Sequence, residues 1–568
     1  MPNPARVPGR KARKSHKIPE PDIWLKKGRH YSDKLILQLL APPWAEHVTS
    51  PYSELADAYR LKSDSKGSIK YVVKLGGFLT WDAERGFWQS GSSQQSEGFI
   101  AAKVYAQRLN QVMVQEIRSL NKLLALAANE PVKAGALEQV IRLHEKAARL
   151  LEQNSRQKAV LSQLAPLVIA DAEVFEPSAW VVGFQNGVWA PDANKKQLSF
   201  RKHEREDHLL HLADVKSPLS SKKALRSKSS DWLQVLNRIS GGDKEFEMTL
   251  QDVAGYALSG ASNLRLLPWI YGPAGTGKST FSELLATVLG SMAITIDPKM
   301  LSSEASRERL GAAIWGKRVV ICAEAGNQRL DLEALKTLSG SDRLSVRFLY
   351  AEAFTAKPRH VLMMVANDPP VIDQGDQAFW DRVLVLPFDQ PLRKGDKDQD
   401  LLKGKSLESL RQDPDSPLVR DFTAWAIEGM KRVYQNLSQG KRDPITVAQK
   451  CVEAKIALRA ETDPLDGFWA IPAVRDLFCT PQIGRVSVKD LRDIYVVWAN
   501  ENLMPVLSPQ KFNGFAKNVG LVMKNNNGRF WELPDGNRRK FLSAKTIDIN
   551  DCADLPPLGQ FIQIQSIN

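Results

Sequence analysis

The chain has 568 residues, 43% of them hydrophobic, and a formal net charge of +14. A chain of this length predicts several domains at roughly 100–200 residues each, and the basic excess favours a polyanionic partner such as nucleic acid over a merely soluble basic protein. No apolar run reaches the roughly 18 residues of a membrane helix, and the basic N-terminus lacks the apolar segment of a secretory signal. We therefore expect a cytoplasmic protein, in the host cytoplasm if a phage encodes it, with no membrane partner.

The cysteines are far apart and form no C-x-x-C pair; they are Cys322, Cys451, Cys479 and Cys552. This spacing argues against a disulfide framework or a zinc ribbon and fits a reducing compartment.

The sequence of the N-terminal part predicts three segments. Residues 1–21 are basic and proline-rich, which predicts a disordered arm that either touches DNA or is simply solvated. Residues 22–215 predict a mixed α+β domain, with a hairpin within 71–91, long helices over 96–170, and two strands around an Asn-Gly turn at 180–191. Residues 216–230 are basic and rich in small polar residues, which predicts a linker.

Residues 231–395 alternate helices with short apolar strands, the pattern of an α/β domain. Within it, "GPAGTGKS" fits the phosphate-binding pattern G-x-x-x-x-G-K-[ST], with an apolar strand before it and a helical pattern after it. Backbone N–H groups of the loop would cradle nucleotide phosphates, Lys278 would neutralise the β- and γ-phosphates, and the Ser279 hydroxyl would bind Mg²⁺. The predicted nucleotide-binding residues are Gly272, Pro273, Ala274, Gly275, Thr276, Gly277, Lys278, Ser279 and Thr280.

Three further side chains follow or precede predicted strands. Glu324 follows the apolar run 319–322 and is the candidate base that activates water, the alternative being an ordinary surface glutamate. Asn367 ends the apolar run 361–366, where its amide would hold the γ-phosphate and the attacking water unless it only forms a turn. Arg382 precedes another apolar strand and is either a residue that acts on a neighbouring subunit's nucleotide or half of a salt bridge.

The C-terminal part predicts a helical lid region over 396–475, a small domain over 476–540 and a tail over 541–568. In the small domain, two helices followed by two strands predict a winged helix that would bind duplex origin DNA; a protein-docking wing is the alternative. Its candidate DNA-binding residues are Lys511, Lys517, Lys524 and Arg529.

The order of these motifs resembles that of superfamily 3 helicases, in particular the helicase half of phage, plasmid and poxvirus primase-helicases. The matching stretches include "GPAGTGKST", "KRVVICAEAGN", "LKTLSGSDRLSVRFLY", "VLMMVANDPP", "FWDRVLVLPF" and "DPLDGFW". The resemblance implies a multidomain α/β protein with an AAA+-like P-loop ATPase core and helical collar over 231–395, assembled as a homo-oligomeric ring, a hexamer, that moves on single-stranded DNA.

The resemblance also implies roles for individual residues. Lys278 and Ser279 fall on Walker A, Glu324 on the Walker B glutamate that helps to hold Mg²⁺, Asn367 on the sensor and Arg382 on an arginine finger acting in trans. Residues 335–357 fall on a hairpin that projects into the ring channel, with Arg347, Tyr350 and Lys357 as its DNA-binding candidates.

The sequence departs from these relatives in ways that keep alternatives open. Ala323 precedes Glu324, so no adjacent second carboxylate assists the metal, and residues 1–215 contain no cysteine for a zinc-binding primase module. The leading hypothesis is an ATP-dependent DNA helicase for phage, plasmid or mobile-element replication, working with a separate primase or polymerase. The alternatives are an origin-binding initiator without processive unwinding and a primase-helicase with an unrecognised primase.

Overall fold

The structure is a computed structural model, and the residues it describes are 36, 42–90, 97–175, 178–192, 194–218, 230–301, 310–324, 331–340, 343–347, 354–368, 377–391, 407–462, 465–479, 485–501, 506–518, 521–525 and 528–533. The predicted arm 1–21, the predicted tail 541–568 and most of the predicted linker 216–230 lie outside these residues.

By packing, the chain divides into two compact units. The N-terminal unit comprises the residues up to Phe175 together with Glu204–Leu210, and the core unit contains Glu176–His203 and nearly everything from His211 onward. The division at Phe175 falls inside the predicted domain 22–215 and differs from the predicted boundary at 216–230, because the strands after Phe175 pack into the core unit's own hydrophobic cluster.

The N-terminal unit combines a small antiparallel sheet with long helices, as the sequence pattern predicted. Its elements are α1 (Glu54–Ser65), β1 (Ile69–Val72), β2 (Gly77–Asp82), β3 (Phe87–Ser90), α2 (Glu97–Leu126), α3 (Pro131–Leu150) and α4 (Asn154–Leu167). The Ser53 side chain accepts a hydrogen bond from the Ala56 N–H and thereby caps α1. Apolar residues at helical spacing bury one stripe of α1, α2 and α4 in a shared cluster. Helix α3 buries most of its apolar stripe in a second cluster, with part of α2.

The core unit contains most of the remaining elements. They are β4 (Val182–Phe184), β5 (Gly187–Pro191), β6 (Leu198–Arg201), α5 (Asp231–Ser240), α6 (Lys244–Ser259), β7 (Leu267–Tyr271), α7 (Lys278–Leu289), β8 (Ala293–Ile296), β9 (Val319–Cys322), α8 (Leu332–Leu338), β10 (Leu344–Val346), β11 (Phe354–Ala356), β12 (Val361–Ala366), α9 (Gln377–Trp380), β13 (Val383–Pro387), α10 (Leu407–Gln412), α11 (Pro417–Ser438), α12 (Gln449–Thr462), α13 (Asp466–Ala470), α14 (Pro472–Cys479), β14 (Arg485–Ser487), α15 (Val488–Glu501), α16 (Pro509–Asn518), β15 (Val522–Asn525) and β16 (Arg529–Glu532).

A five-stranded parallel sheet lies at the centre of the core unit, in the order β13-β7-β12-β9-β8. Alternate residues of each strand enter two different hydrophobic clusters; Ile270 and Met363, for example, belong to one, and Trp269 and Met364 to the other. A parallel sheet covered on both faces needs strands that are apolar throughout. This is why the runs around 319–322, 361–366 and 383–387 read as continuous hydrophobic segments.

Helices α6 and α11 approach each other closely at two glycines. A Cβ atom added to Gly255 would lie 2.0 Å from the Met430 nitrogen, and one added to Gly429 would lie 2.0 Å from the Gln251 carbonyl oxygen. A salt bridge of 2.6 Å between Arg432 Nη2 and Asp252 Oδ1 joins the same two helices. A helix of the predicted domain 231–395 and a helix of the predicted region 396–475 are therefore packed backbone to backbone.

The C-terminal residues form a separate hydrophobic cluster in the core unit, centred on buried Phe512, Tyr495 and Trp531. Helices α15 and α16 are followed by the antiparallel pair β15–β16, and β14 adds a third strand beside β16. The order helix, helix, two strands agrees with the predicted order of elements. Among the described residues, none of the helices has the length and apolar character needed to cross a bilayer.

We predict that Gly255→Ala destabilises the core unit by about 1–3 kcal/mol, because the added methyl group overpacks a backbone contact. The matched control is Gly514→Ala in α16, where an added Cβ atom meets nothing within 4 Å; it should be neutral or stabilising by up to about 1 kcal/mol because alanine favours helix. Chemical denaturation of both variants provides the measurement. Equal stability of the two variants would contradict close packing at Gly255.

Candidate nucleotide-binding site

The loop between β7 and α7 has a backbone that requires glycine. Gly275 and Gly277 have φ angles of 78° and 94°, in the left-handed region. At Gly272, φ is 145° and an added Cβ atom would lie 2.1 Å from the Phe388 carbonyl oxygen at the end of β13. The spacing of glycines in the motif therefore reflects a strand-loop-helix turn pressed against the neighbouring strand.

Lys278 is the first residue of α7 and is buried. Its Nζ donates hydrogen bonds to the carbonyl oxygens of Gly272 at 2.6 Å and Pro273 at 2.5 Å. Burial lowers the pKa of the Lys278 ammonium group. The ammonium group is thus held by its own loop, at the N-terminus of a helix whose free N–H groups and dipole favour anions.

The strand order brings two of the other predicted residues to the same edge of the sheet. Strand β12 lies between β7 and β9, with Ala366 opposite Tyr271 and Met364 opposite Cys322. Because all three strands are parallel, Asn367 and Glu324 emerge at the carboxyl edge where the loop begins. Neighbouring strands lie about 4.8 Å apart. Strand β12 is therefore about 5 Å from β7, and β9 is about 10 Å from it.

Glu324 has an unusual backbone conformation. Its φ angle is +56°, in the left-handed region that non-glycine residues seldom adopt, and its side chain is exposed. Such strain tends to occur where a side chain must be aimed in a particular direction. The carboxylate of Glu324 is accessible at the carboxyl edge.

The same edge carries a carboxylate that the sequence reasoning missed. Asp297 follows β8, whose Ile296 lies opposite Cys322, and its Oδ1 accepts a hydrogen bond of 2.8 Å from the Lys299 N–H. The apolar run "AITI" directly before Asp297 could have predicted a strand that ends at this carboxylate. Strand β8 lies one spacing beyond β9, so Asp297 is farther from the loop than Glu324.

The donors expected to hold Mg²⁺ are hard oxygen atoms, which suit this ion. Ser279 and Glu324 are both exposed at the carboxyl edge. Across the described residues, His, Cys, Asp and Glu side chains form no group of three or more able to bind a metal by themselves. The arrangement suits an ion bound partly by nucleotide phosphates and water, as Mg²⁺ usually is.

Arg382 lies at the opposite, amino edge of the sheet. Its carbonyl oxygen accepts a hydrogen bond of 2.8 Å from the Leu267 N–H, and Val383 lies opposite Leu267. Its guanidinium group donates to the Lys336 carbonyl oxygen near the end of α8. The length of β7 therefore separates Arg382 from the phosphate loop of its own chain.

The predicted hairpin within 335–357 is present as β10 and β11, paired antiparallel with Val346 opposite Phe354. Arg347 follows Val346 and lies at the end of the ribbon nearer its tip, whereas Lys357 follows Ala356 at the other end; both are exposed. Tyr350 lies outside the described residues. The two cations therefore do not form one cluster on the ribbon.

The four predicted cations of the C-terminal region are all exposed. Lys511 and Lys517 lie on α16, while Lys524 and Arg529 lie on the paired strands β15 and β16. They leave positive charge on one helix and on the neighbouring hairpin.

Comparison with known proteins finds similarity to several viral proteins. Residues 55–241 match the family described as "D5 N terminal like", and residues 270–382 match a "Family of unknown function (DUF5906)". Similar curated proteins include "Putative helicase 121R" of Invertebrate iridescent virus 3, 22% identical over 321 residues, which cover 52% of this chain and 33% of that protein. "Putative helicase 022R" of Frog virus 3 (isolate Goorha) is 28% identical over 152 residues, covering 25% and 15%.

The chain resembles the primase-helicase-type proteins of phages and viruses. This confirms the resemblance inferred from motif order at the family level. The chain spans a third or less of the length of the curated relatives described above. Among solved structures, the A form apo structure of the NrS-1 C-terminal region has a TM-score of 0.34 and 13% identity, covering 56% of this chain and 77% of that one.

We predict that Glu324→Gly is more stable than Glu324→Ala by about 0.5–1 kcal/mol. Glycine adopts the left-handed backbone without steric strain, which stabilises the folded state. Its greater conformational entropy in the unfolded state offsets only part of this gain. The two variants lack the same carboxylate, so their comparison isolates the backbone. Urea denaturation measures the difference.

The control for this comparison is Asp297, which also follows a strand at the carboxyl edge but is not among the described residues with positive φ. There the order should reverse, with Asp297→Ala more stable than Asp297→Gly. Alanine more stable than glycine at both positions would show that Glu324 is unstrained.

Proposed function

We propose that this chain is an ATP-dependent DNA helicase of the superfamily 3 type, which hydrolyses ATP with Mg²⁺ and works as a hexameric ring on single-stranded DNA. The observation that carries the proposal is the convergence of Lys278, Asn367 and Glu324 at the carboxyl edge of three adjacent parallel strands. Ligands of open α/β sheets bind at this edge, where the strand order reverses. A cation, an amide and a carboxylate there match the needs of phosphoryl transfer.

In this proposal each side chain has a separate task. The loop N–H groups bind the phosphates, and Lys278 exchanges its hydrogen bonds to the Gly272 and Pro273 carbonyl oxygens for bonds to phosphate oxygens. Asn367 orients the γ-phosphate and the attacking water, and Glu324 accepts a proton from that water. The Ser279 hydroxyl, with help from the Glu324 carboxylate, would hold Mg²⁺, which would supply charge neutralisation at the phosphates.

The position of Arg382 supports action on a neighbouring subunit. A residue at the amino edge is about the length of a five-residue strand, roughly 16 Å, from the loop at the carboxyl edge of the same sheet. The nucleotide that Arg382 contacts therefore belongs to another copy of the chain. This requirement favours a closed ring, in which each subunit completes its neighbour's site.

For DNA, we propose a division between two surfaces. Arg347 and Lys357 on the β10–β11 ribbon, together with Tyr350, contact the single strand, and Lys511, Lys517, Lys524 and Arg529 contact duplex DNA at an origin. The exposure of the described cations and the net charge of +14 support this division. A separate primase or polymerase would supply primers.

The test of the proposal is ATP hydrolysis with and without single-stranded DNA, followed by strand displacement on a forked duplex. Lys278→Ala should abolish turnover because phosphate charge stays uncompensated, and Glu324→Gln should keep ATP bound while turnover collapses. Lys244→Ala, which removes an exposed lysine paired with Glu247, is the control and should leave turnover unchanged. Near-normal hydrolysis by Lys278→Ala would refute the proposal.

The same assay separates the alternatives. DNA-stimulated hydrolysis without strand displacement would favour an origin-binding initiator, for which the exposed cations on α16 and the β15–β16 hairpin are the specific support. Primer synthesis by the isolated chain would instead indicate a primase activity within it.

For Arg382 we predict complementation between subunits. Arg382→Ala and Lys278→Ala should each be inactive alone, whereas mixed rings contain some interfaces at which an intact Lys278 loop faces an intact Arg382. Mixing should therefore restore part of the ATPase activity, measured in rings verified to contain both variants. Absence of any gain in verified mixed rings, with ATP binding by Arg382→Ala intact, would argue against action in trans.

A further inference from the structure

Arg411 reaches the helix that follows the phosphate loop, although it lies in the sequence far from every recognised motif. It belongs to the short helix α10, and its Nε atom lies 2.5 Å from Glu283 Oε2 on α7. Its Nη1 donates toward Thr280 Oγ1 at 3.4 Å. Thr280 is the third residue of α7, so the guanidinium group flanks the first turn of the helix that begins at Lys278.

The main chain of Arg411 is anchored about two turns farther along α7. The Thr287 hydroxyl donates a hydrogen bond of 2.8 Å to the Arg411 carbonyl oxygen. The Arg411 side chain retains only 17% of its full exposure. Contacts from both the backbone and the side chain thus define the position of this cation on α7.

The Arg411 guanidinium group lies near the N-terminal end of α7, where a positive charge is unfavourable. A helix N-terminus carries partial positive charge and stabilises anions, whereas cations are favoured at the C-terminus. Lys278 already places one ammonium group at this end. A second cation beside the same turn raises the local positive potential, and within α7 only Glu283 pairs with it among the contacts of the described residues.

The pairing with Glu283 leaves hydrogen-bonding capacity unused. Arg411 Nε and Glu283 Oε2 are close and buried, yet neither atom has an aligned hydrogen-bond partner among the described residues. The second nitrogen, Nη2, is 3.9 Å from Glu408 Oε1, too long for a hydrogen bond. A planar guanidinium group can instead bind two oxygen atoms of a phosphate in parallel.

We propose that Arg411 is a second phosphate-binding cation of the nucleotide site, which contacts the phosphates from the Thr280 side of the loop while Lys278 contacts them from within it. In this proposal Glu283 only balances the charge of the guanidinium group and does not contact the nucleotide. The inference rests on the proposed nucleotide site and adds to it a residue from the helical region after β13. Nucleotide binding would consequently fasten α10 more firmly to α7.

The decisive test compares Arg411→Gln with Glu283→Gln in the full-length chain, since both variants remove the same ion pair. Binding of a fluorescent ATP analogue and its ADP counterpart, each with Mg²⁺, is measured by anisotropy titration. Arg411→Gln should weaken binding by about tenfold or more, as expected for loss of a charge-assisted contact. Glu283→Gln should leave affinity unchanged or increase it, because it removes a negative charge near the phosphates.

Two further measurements distinguish phosphate binding from a structural role. Thermal unfolding should show similar shifts for the two variants, since each loses the same pair. Arg411→Lys, which keeps the charge but loses the planar fork, should bind nucleotide with intermediate affinity. Weakening of ATP binding alone would place Arg411 at the γ-phosphate, and equal weakening of ATP and ADP would place it at the α- or β-phosphate.

The results that overturn the inference differ from those that overturn the proposed function. Equal loss of affinity in Arg411→Gln and Glu283→Gln, in proportion to their loss of stability, would show that Arg411 is only a structural ion-pair partner. Wild-type affinity in Arg411→Gln would also refute it, while the nucleotide site itself would stand as long as Lys278→Ala abolishes turnover. If the wild-type chain binds no nucleotide, both proposals fail.

Discussion

Parallel pairing of β7 with β12 and β13 is the constraint on which the arrangement of the core unit depends. Because the strands run in the same direction, their carboxyl ends lie along one edge and their amino ends along the other. Insertion of β12 between β7 and β9 then brings Asn367 beside the loop and leaves Glu324 one strand farther on. The same pairing places Arg382 at the opposite edge.

Packing around this sheet leaves little freedom for the loop. The Phe388 carbonyl oxygen occupies the space that a side chain at Gly272 would need, so the end of β13 shapes the turn before α7. On one face, helices α6 and α11 meet backbone to backbone at Gly255 and Gly429. Such contacts tolerate no extra methyl group, and they fix the arrangement of these two helices.

The carboxyl edge of the sheet concentrates features that cost stability. Lys278 is buried with its charge directed at backbone carbonyl oxygens, and Glu324 adopts a left-handed backbone. Arg411 adds a cation beside the N-terminal turn of α7. Each of these features opposes an ordinary preference, for solvated charge, for right-handed backbone or for anions at a helix N-terminus. Their coincidence at one edge is typical of a site prepared for an anionic ligand.

The sequence by itself determined the local structure and the resemblance to primase-helicase-type proteins. Motif spacing identified the loop from Gly272 to Ser279, and continuous apolar runs predicted the buried strands before Glu324 and Asn367, because each of these patterns reflects contacts within one short segment. Only the tertiary structure decided which strands are neighbours, that Arg382 lies at the far edge, and that Asp297 shares the edge with Glu324. It also brought Arg411 to Thr280 across 131 residues of sequence. Strand order and contacts between distant helices depend on the packing of whole faces, and no single segment of sequence contains that information.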